Sequence, residues 1–389
     1  MRKILLFSAI ISIAGMVFGA PGQQINLKKS NITRLELLQN SVSGFVFQTS
    51  FQNLDAALVS STHGNFVQIT ARGFGKSYQI GNPDLPVRGN LIEVPIGAGV
   101  EIKIVSYDVE IIKLNELGLS QKLMPSQPSL SKSDDPENAG FVVNSDVYSN
   151  NGFYQNQMAW YEESGIMRGV RVGNVFVSPF RYNPVENILE VYNNMVVEVK
   201  FTNADQKATN DAKARYYSPF YSQIYKGMLN YQGETKAINQ HFPVKYVIVS
   251  HRMFETTLQP FIAWKQKKGF QVIVKYTDEI GTTTTAIKTY LQGLYTSATE
   301  TNPAPSFVLL VGDVAQVPVY NGVSDSHVTD LYYFCYDGAS DRVPDVTYGR
   351  FSASTVAHLQ SQIDKTLEYE MYTMPDPSYL DHVVMVSGV

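Results

Sequence analysis

Residues 246–250 read YVIVS, and residues 306–312 read SFVLLVG. Each run has the length of a strand and lacks the alternating polar residues of a strand that exposes one face to solvent. Each therefore predicts a strand buried on both faces of a sheet. Between them, residues 255–268 have apolar side chains at helical spacing before Gly269, and residues 282–294 predict a second helix that begins with a run of threonines able to cap it. Strands and helices that alternate at this spacing predict an α/β domain with a parallel, doubly wound sheet.

The same pattern continues to the end of the chain. Residues 270–276 predict another strand, residues 355–372 a long amphipathic helix, and residues 382–389 (HVVMVSGV) a fourth buried strand. Because a complete domain rarely ends on a buried strand, we expect residues 245–389 to be an incomplete, N-terminal part of that domain. Ligands of doubly wound sheets bind outside the carboxyl ends of the strands. The predicted ends are Ser250, Asp278, Asp313 and Ser387.

The region before residue 232 has a different pattern. Segments such as 66–69, 101–105 and 188–201 alternate apolar and polar residues with a period of two, and residues 81–97 are too rich in proline and glycine for a long helix. This predicts an all-β, antiparallel sandwich over residues 20–231. Residues 123–138 predict an exposed loop, residues 216–231 a helix or an extended tether, and residues 232–244 a linker.

The N-terminus predicts a secretory signal peptide over residues 1–19. Arg2 and Lys3 precede an apolar run over residues 4–17, and Val17-Phe18-Gly19 offers a small-residue cleavage site. The alternative is a transmembrane anchor, but the run is short and no charged stop follows it. We therefore expect a secreted, extracellular protein without a membrane-spanning segment after signal removal. Attachment to the cell surface stays open.

The composition argues against certain partners and against disulfide bonds within the chain. The 389 residues have a net charge of −4 with dispersed basic residues, which argues against a nucleic-acid partner, and the 24 Tyr and 20 Phe beside 2 Trp suit a β-rich extracellular chain. Cys335 is the only cysteine, so no intrachain disulfide can form. An exported chain of this kind needs other cross-links, and metal ions are one candidate.

Residues 337–345 (DGASDRVPD) are the strongest local constellation of ligand-type side chains. They contain three carboxylates, Asp337, Asp341 and Asp345, on a segment bent by a glycine. Calcium takes six to eight oxygen ligands from carboxylates and backbone carbonyls on such loops. Asp313, at the end of a predicted strand, could add a fourth carboxylate. The alternative is a polar loop whose aspartates cap turns.

Cys335 and two histidines are further candidates for reactive groups. Cys335 lies among aromatic residues, and this setting favours a buried, inert thiol in a strand. A dyad with His327, eight residues earlier, is the alternative, because a cysteine nucleophile needs a nearby base. His251 follows a strand end and could face a crevice, but a surface or helix-capping role is favoured. Without a glycine-rich phosphate loop, a nucleotide enzyme of the usual doubly wound kind is disfavoured.

From residue 258 onward the chain resembles the gingipain family of secreted cysteine peptidases, and its lysine-specific type most. The N-terminal region is similar to the family's propeptide at residues 81–87, 94–95 and 179–184. The segments that carry the resemblance in the C-terminal region are 264–270 (WKQKKGF), 276–279 (YTDE), 311–313 (VGD), 328–333 (VTDLYY), 337–338 (DG), 351–354 (FSAS), 363–365 (IDK), 369–370 (YE) and 373–380 (TMPDPSYL).

This resemblance implies the front part of a secreted endopeptidase precursor, a zymogen with a sandwich propeptide and a caspase-like catalytic domain. The family hydrolyses peptide bonds with a His-Cys pair whose positions, like that of a supporting Asp, lie beyond Val389. No catalytic residue is therefore assigned, and this chain alone is expected to be inactive. Expected partners are protein or peptide substrates and the chain's own propeptide, which would inhibit the enzyme and assist its folding. The implied calcium ligands are the carboxylates of Asp313, Asp337, Asp341 and Asp345 with the Val343 carbonyl.

A second hypothesis treats the chain as complete and non-catalytic, either a secreted binding module or an inhibitor of a related protease. The apolar end of the chain disfavours this alternative. Cleavage after lysine or after arginine stays open, because the family's pocket residues lie downstream.

Overall fold

The structure, a computed structural model, describes residues 22–61, 63–130, 140–155, 157–233, 243–299, 301–323 and 327–385. The predicted signal peptide and most of the predicted linker lie outside the described residues. We call residues 22–233 the N-terminal region and residues 243–385 the C-terminal region.

The N-terminal region is built mainly from antiparallel strands. Its strands are β1 Gln23–Asn26, β2 Arg34–Ser41, β3 Gly44–Ser50, β4 Asn53–Ser61, β5 Gly64–Thr70, β6 Arg88–Val94, β7 Gly99–Lys113, β8 Ala159–Met167, β9 Val170–Val177, β10 Phe180–Asn183 and β11 Ile188–Thr202. Its helices are α1 Ser145–Ser149, α2 Gln206–Arg215 and α3 Ser222–Lys226.

The long strand β11 organises the sandwich. It pairs with β7 along one edge and with β3 and β10 along the other, and β2 pairs with β3 to complete a five-stranded sheet. One face of this sheet packs on the sheet β6-β9-β8, where Phe47 and Val197 meet Val175. The other packing partner is the sheet β1-β4-β5, where Leu54 meets Phe180. Each such fully buried side chain contributes about 1.5–3 kcal/mol. The predicted all-β sandwich is confirmed.

The C-terminal region alternates strands and helices. Its strands are β12 Lys245–Ser250, β13 Gln271–Tyr276, β14 Phe307–Val311, β15 Tyr320–Asn321, β16 Val328–Thr329 and β17 Thr347–Phe351. Its helices are α4 Gln259–Lys267, α5 Thr277–Ile280, α6 Thr284–Thr296 and α7 Val356–Met371.

Four of these strands form a parallel sheet in the order β13-β12-β14-β17. Helices α4 and α7 cover one face through Phe261 and Leu359. Helix α6 covers the other through Ile287 and Leu291. The doubly wound α/β fold is therefore confirmed. Because β13 and β14 lie on opposite sides of β12, the topological switch point falls between the carboxyl ends of β12 and β14.

The fourth parallel strand is not the one predicted. Residues 382–385 form no strand, and the side chains of Val383, Val384 and Met385 are 83–91% exposed. The rest of the predicted strand, residues 386–389 with its end at Ser387, lies outside the described residues. An apolar run becomes a strand only where a neighbouring backbone pairs with it, and the described residues offer residues 382–385 no such partner. The position beside β14 is taken by β17, whose sequence TYGRF is too polar to stand out.

One loop prediction also needs correction. Residues 123–126 are not exposed: Leu123 and Ser126 are buried, and the backbone of residues 122–126 bonds to Val67, Asn82 and Asp84. Residues 131–139 of the same predicted loop lie outside the described residues. Residues 216–231, predicted to be a helix or an extended tether, begin with a short non-helical strap over residues 216–221 and continue into α3. The strap lies against the C-terminal region, where Ser218 bonds to Ser306.

Candidate functional site

The structure brings together three of the four carboxylates predicted to bind a metal. Oxygens of Asp337, Asp341 and Asp345 lie within 4.8 Å of one another. Asp337 is exposed, whereas Asp341 and Asp345 are 8% and 0% exposed. Like charges this close repel each other, so the cluster needs either protons or a cation.

Asp341 also shapes its own loop. Its Oδ2 accepts a hydrogen bond from the Asp337 amide at 3.1 Å, and its Oδ1 accepts one from the Val343 amide at 2.9 Å. The turn-capping role that the sequence offered as an alternative is therefore present. A carboxylate has about four lone-pair sites, so these two bonds leave Asp341 able to take a cation as well.

Asp345 is the buried member of the cluster. Its Oδ1 accepts bonds from the Arg168 amide at 2.7 Å and the Tyr295 hydroxyl at 3.1 Å, and its Oδ2 accepts one from the Tyr336 amide at 3.2 Å. Burial, together with the Asp337 carboxylate, raises the pKa of Asp345 to about 7 despite these bonds. With three sites used, Asp345 can offer a cation one oxygen.

Asp313 lies away from these three residues. It follows the carboxyl end of β14, whereas Asp345 precedes the amino end of β17, and the two strands pair in parallel from Phe307↔Thr347 to Val311↔Phe351. Five strand residues span roughly 16 Å, which separates the two carboxylates by far more than an ion can bridge. The Asp313 carboxylate instead accepts bonds from the Val314 amide and the Ser352 hydroxyl. The predicted fourth ligand is therefore not part of this cluster.

In open α/β sheets ligands bind outside the carboxyl ends of the strands at the switch point, so we call the position beyond the ends of β12 and β14 the crevice. The His251 amide bonds to the Val311 carbonyl at 3.3 Å across the switch point. His251 Nδ1 accepts a bond from the Met253 amide, which confirms the capping role predicted for this histidine. At the neighbouring strand end, the Asp278 carboxylate forms an ion pair with Arg252, so it is already engaged.

Cys335 is buried, as predicted, but it does not lie in a strand. It follows a short 3-10 helix, Leu331–Tyr333, and its thiol donates to the Leu331 carbonyl at 3.4 Å. Burial, and then the nearby carboxylates, raise the pKa of the thiol to about 12. Among the hydrogen bonds of the described residues, none joins Cys335 to His327, whose ring lies beside Gly322, where an added Cβ would be 3.1 Å from Nε2. This geometry favours the inert thiol over the dyad.

Sequence reasoning missed Arg168, which lies at the turn between β8 and β9. Only 1% of this residue is exposed, and its guanidinium donates to carbonyls of Pro305 and Asp345 in the C-terminal region. Gly169 is the feature of the sequence that indicates a turn here. In the structure Arg168 and Gly169 both take the left-handed conformation, with φ of 51° and 72°. The sequence carries no signal that the turn is buried.

Comparison with known proteins gives two family matches. The model of the C25 propeptide matches residues 23–236, and the model of peptidase family C25 matches residues 239–389. Among curated relatives, the chain is 37% identical over 393 residues to Lys-gingipain W83 of Porphyromonas gingivalis and 26% identical over 382 residues to gingipain R1 of the same organism. These alignments cover 100% and 97% of this chain.

The chain spans only part of these relatives, 22% of Lys-gingipain W83 and 36% of gingipain R1. A solved structure, described as an insight into the zymogenic latency of gingipain K from Porphyromonas gingivalis, is 36% identical to the chain with a TM-score of 0.44. The match covers 47% of this chain and 100% of the solved one. Among the described residues, no helix has both the length and the apolar composition needed to cross a membrane.

Proposed function

The chain belongs to peptidase family C25, as a propeptide followed by the N-terminal part of the peptidase domain, and from this premise we propose a secreted cysteine endopeptidase precursor. The N-terminal region is from here on called the propeptide, and the C-terminal region is called the peptidase region. The observation that carries the proposal is that both family matches occur in this order and together cover nearly all of residues 23–389. This order favours a precursor over a free-standing binding or inhibitor module.

The proposed reaction is hydrolysis of peptide bonds in protein or peptide substrates. Among the described residues, the crevice beside His251 and Asp313 supplies a frame at the switch point and no residue that attacks the bond. Cys335 is unsuited to the role, because a nucleophilic cysteine needs a lowered thiol pKa and access to substrate. We therefore propose that residues 1–389 alone do not hydrolyse peptides.

The activity test compares this chain with the full product of its gene. Both proteins are given amide substrates with lysine or arginine before the scissile bond, in reducing buffer with calcium. We expect hydrolysis, blocked by iodoacetamide, only from the full gene product after its propeptide is cleaved. Hydrolysis by the 389-residue chain that is lost in Cys335→Ser would overturn the proposal and establish the Cys335 alternative.

We also propose that the acidic loop binds calcium through Asp337, Asp341 and Asp345, with the Val343 carbonyl as a further ligand. Three oxygens within 4.8 Å suit a hard cation, and the Asp341 and Asp345 carboxylates keep free lone pairs. A bound cation would neutralise the mutual repulsion of these groups and cross-link a chain that has no disulfide.

Export is the last part of the proposal. The apolar segment over residues 4–17 supports a signal peptide, and the gingipain relatives are consistent with a secreted or surface-attached protease. The test is an intact mass of the protein recovered from the culture medium. A product that retains residues 1–19, or that stays in the cell, would contradict it.

A further inference from the structure

The propeptide contacts the peptidase region at the amino-terminal end of its parallel strands. Ser218 bonds to Ser306 at 2.8 Å, and Phe220 packs on Phe307, the first residue of β14, with ring centroids 4.6 Å apart. The crevice lies at the other end of the same strands, roughly 16 Å away for a strand of five residues. These contacts therefore do not reach the crevice.

Arg168 lies at the centre of this contact. Its Nε and Nη2 donate to the carbonyls of Tyr216 and Tyr217 in the strap, and its Nη1 donates to those of Pro305 and Asp345. The guanidinium thus connects the β8–β9 turn, the strap and the peptidase region. The backbone contributes as well, because the Arg168 amide bonds to the Asp345 carboxylate.

The surroundings of this contact are apolar and closely packed. Met167 and Val170, on either side of the turn, form a buried cluster with Tyr221, and Val343 of the peptidase region packs against it. Next to it, the ring of Tyr216 stacks on that of Tyr295 with centroids 4.4 Å apart and planes 5° apart. Water is therefore excluded from the guanidinium.

A buried charge is tolerated only where its donors are satisfied. Two of the four carbonyls around the Arg168 guanidinium, and the acceptor of its amide, belong to the peptidase region. The residue is therefore fully paired only while the two regions are in contact. Buried arginines of this kind, surrounded by packed apolar contacts, are frequent hot spots of protein interfaces.

We propose that Arg168 is the anchor that holds the propeptide on the amino-terminal end of the peptidase sheet. Attachment of the propeptide then depends on a surface separate from the crevice where substrate would bind. This inference rests on the proposed function in one respect, which is that residues 22–233 act as a propeptide. Its test measures association, so it can fail while the activity test succeeds, and the reverse also holds.

The test uses the full chain with a site for a sequence-specific protease placed within residues 234–242. The protein is tethered through its N-terminus and cut, and the loss of the C-terminal fragment is followed over time. We expect the wild-type fragments to stay together, and Arg168→Asn to release the C-terminal fragment at least about 30-fold faster. Asparagine tolerates the left-handed conformation, so this variant keeps the turn and removes the guanidinium.

Arg171→Gln is the matched control, because Arg171 lies on the same hairpin but pairs with Glu163 and other acceptors within the propeptide. It should release the fragment at the wild-type rate. Equal release by Arg168→Asn and wild type, or by Arg168→Asn and Arg171→Gln, overturns the proposal. So does immediate separation of the wild-type fragments.

A measurement without substitution covers the case that Arg168→Asn does not fold. Hydrogen exchange of the Arg168 and Tyr336 amides, both bonded to Asp345, is compared before and after the cut in the wild-type chain. Unchanged protection of both amides supports the anchor. Rapid exchange at Arg168 after the cut overturns it.

Discussion

The backbone amide of Arg168 donates to the Asp345 carboxylate at 2.7 Å, although 177 positions separate the two residues in the sequence. The Asp345 carboxylate therefore has two structural roles. It is the buried member of the acidic loop, and it is the point where the propeptide hairpin meets the peptidase region. Changes at the loop and changes at the hairpin should consequently affect each other.

Calcium should stabilise the chain through the acidic loop. We expect the free energy of unfolding, measured by urea titration, to rise by about 2.7 kcal/mol when calcium is at 100 times its dissociation constant. Asp341→Asn should remove this response. Asp313→Asn is the control and should keep it, because Asp313 lies at the opposite end of the strands. A response lost in Asp313→Asn but kept in Asp341→Asn would contradict the site.

Without calcium, stability should fall as the pH rises. Asp345 has its pKa raised from 3.8 to about 7 in the folded chain, so the folded state binds its proton more tightly than the unfolded state does. The resulting stabilisation is complete below about pH 4 and is lost as the pH approaches 7. In a chelator, wild type should lose about 2–3 kcal/mol more than Asp345→Asn between pH 5 and pH 8. Parallel pH curves for the two proteins would refute this.

A side chain at Gly165 should push the hairpin away from the acidic loop. A Cβ there would lie 3.0 Å from Val343 Cγ2, and the φ of 143° already disfavours other residues. We expect Gly165→Ala to cost about 1–3 kcal/mol and to speed hydrogen exchange in residues 337–345. Gly64→Ala is the control, with a φ of 122° and no atom within 4 Å of the added Cβ. If both variants lose the same free energy of unfolding, backbone strain alone explains the loss and the contact with Val343 contributes nothing.

The Cys335 thiol should not react in the folded chain. It is 2% exposed, and its pKa is raised to about 12 by burial and neighbouring carboxylates. Iodoacetamide at pH 7.5 should label it only after denaturation, because the thiolate is the reactive form. The check is the mass of the protein after timed exposure with and without denaturant. Fast labelling of the native chain would contradict this prediction and support the alternative in which His327 activates Cys335.

Much of the fold could be predicted because it is encoded locally. The apolar runs that became β12 and β14 are buried on both faces, and the threonines before α6 and α7 do cap these helices, through Thr283 and Thr355. Periodicity and capping act within a few residues, so one sequence is enough to detect them.

The errors share a different physical origin. Strand β17 is polar because it lies at the edge of the sheet, where Arg350 forms an ion pair with Asp330. The spacing of the aspartates in residues 337–345 is enough to predict the acidic loop. Its distance from Asp313 depends on strand register, which cannot be read from the sequence. Arg168 is the extreme case, because a charged residue at a turn is normally exposed and its acceptors come from distant segments.

The stacking of Tyr216 on Tyr295 places a propeptide side chain against the core of the peptidase region. During synthesis the propeptide emerges first, and domains generally fold as units in that order. The peptidase region would then fold onto a surface that already exists, and it would bring the Pro305 and Asp345 acceptors to Arg168. The order of synthesis therefore allows the propeptide to act as a template on which the peptidase region folds.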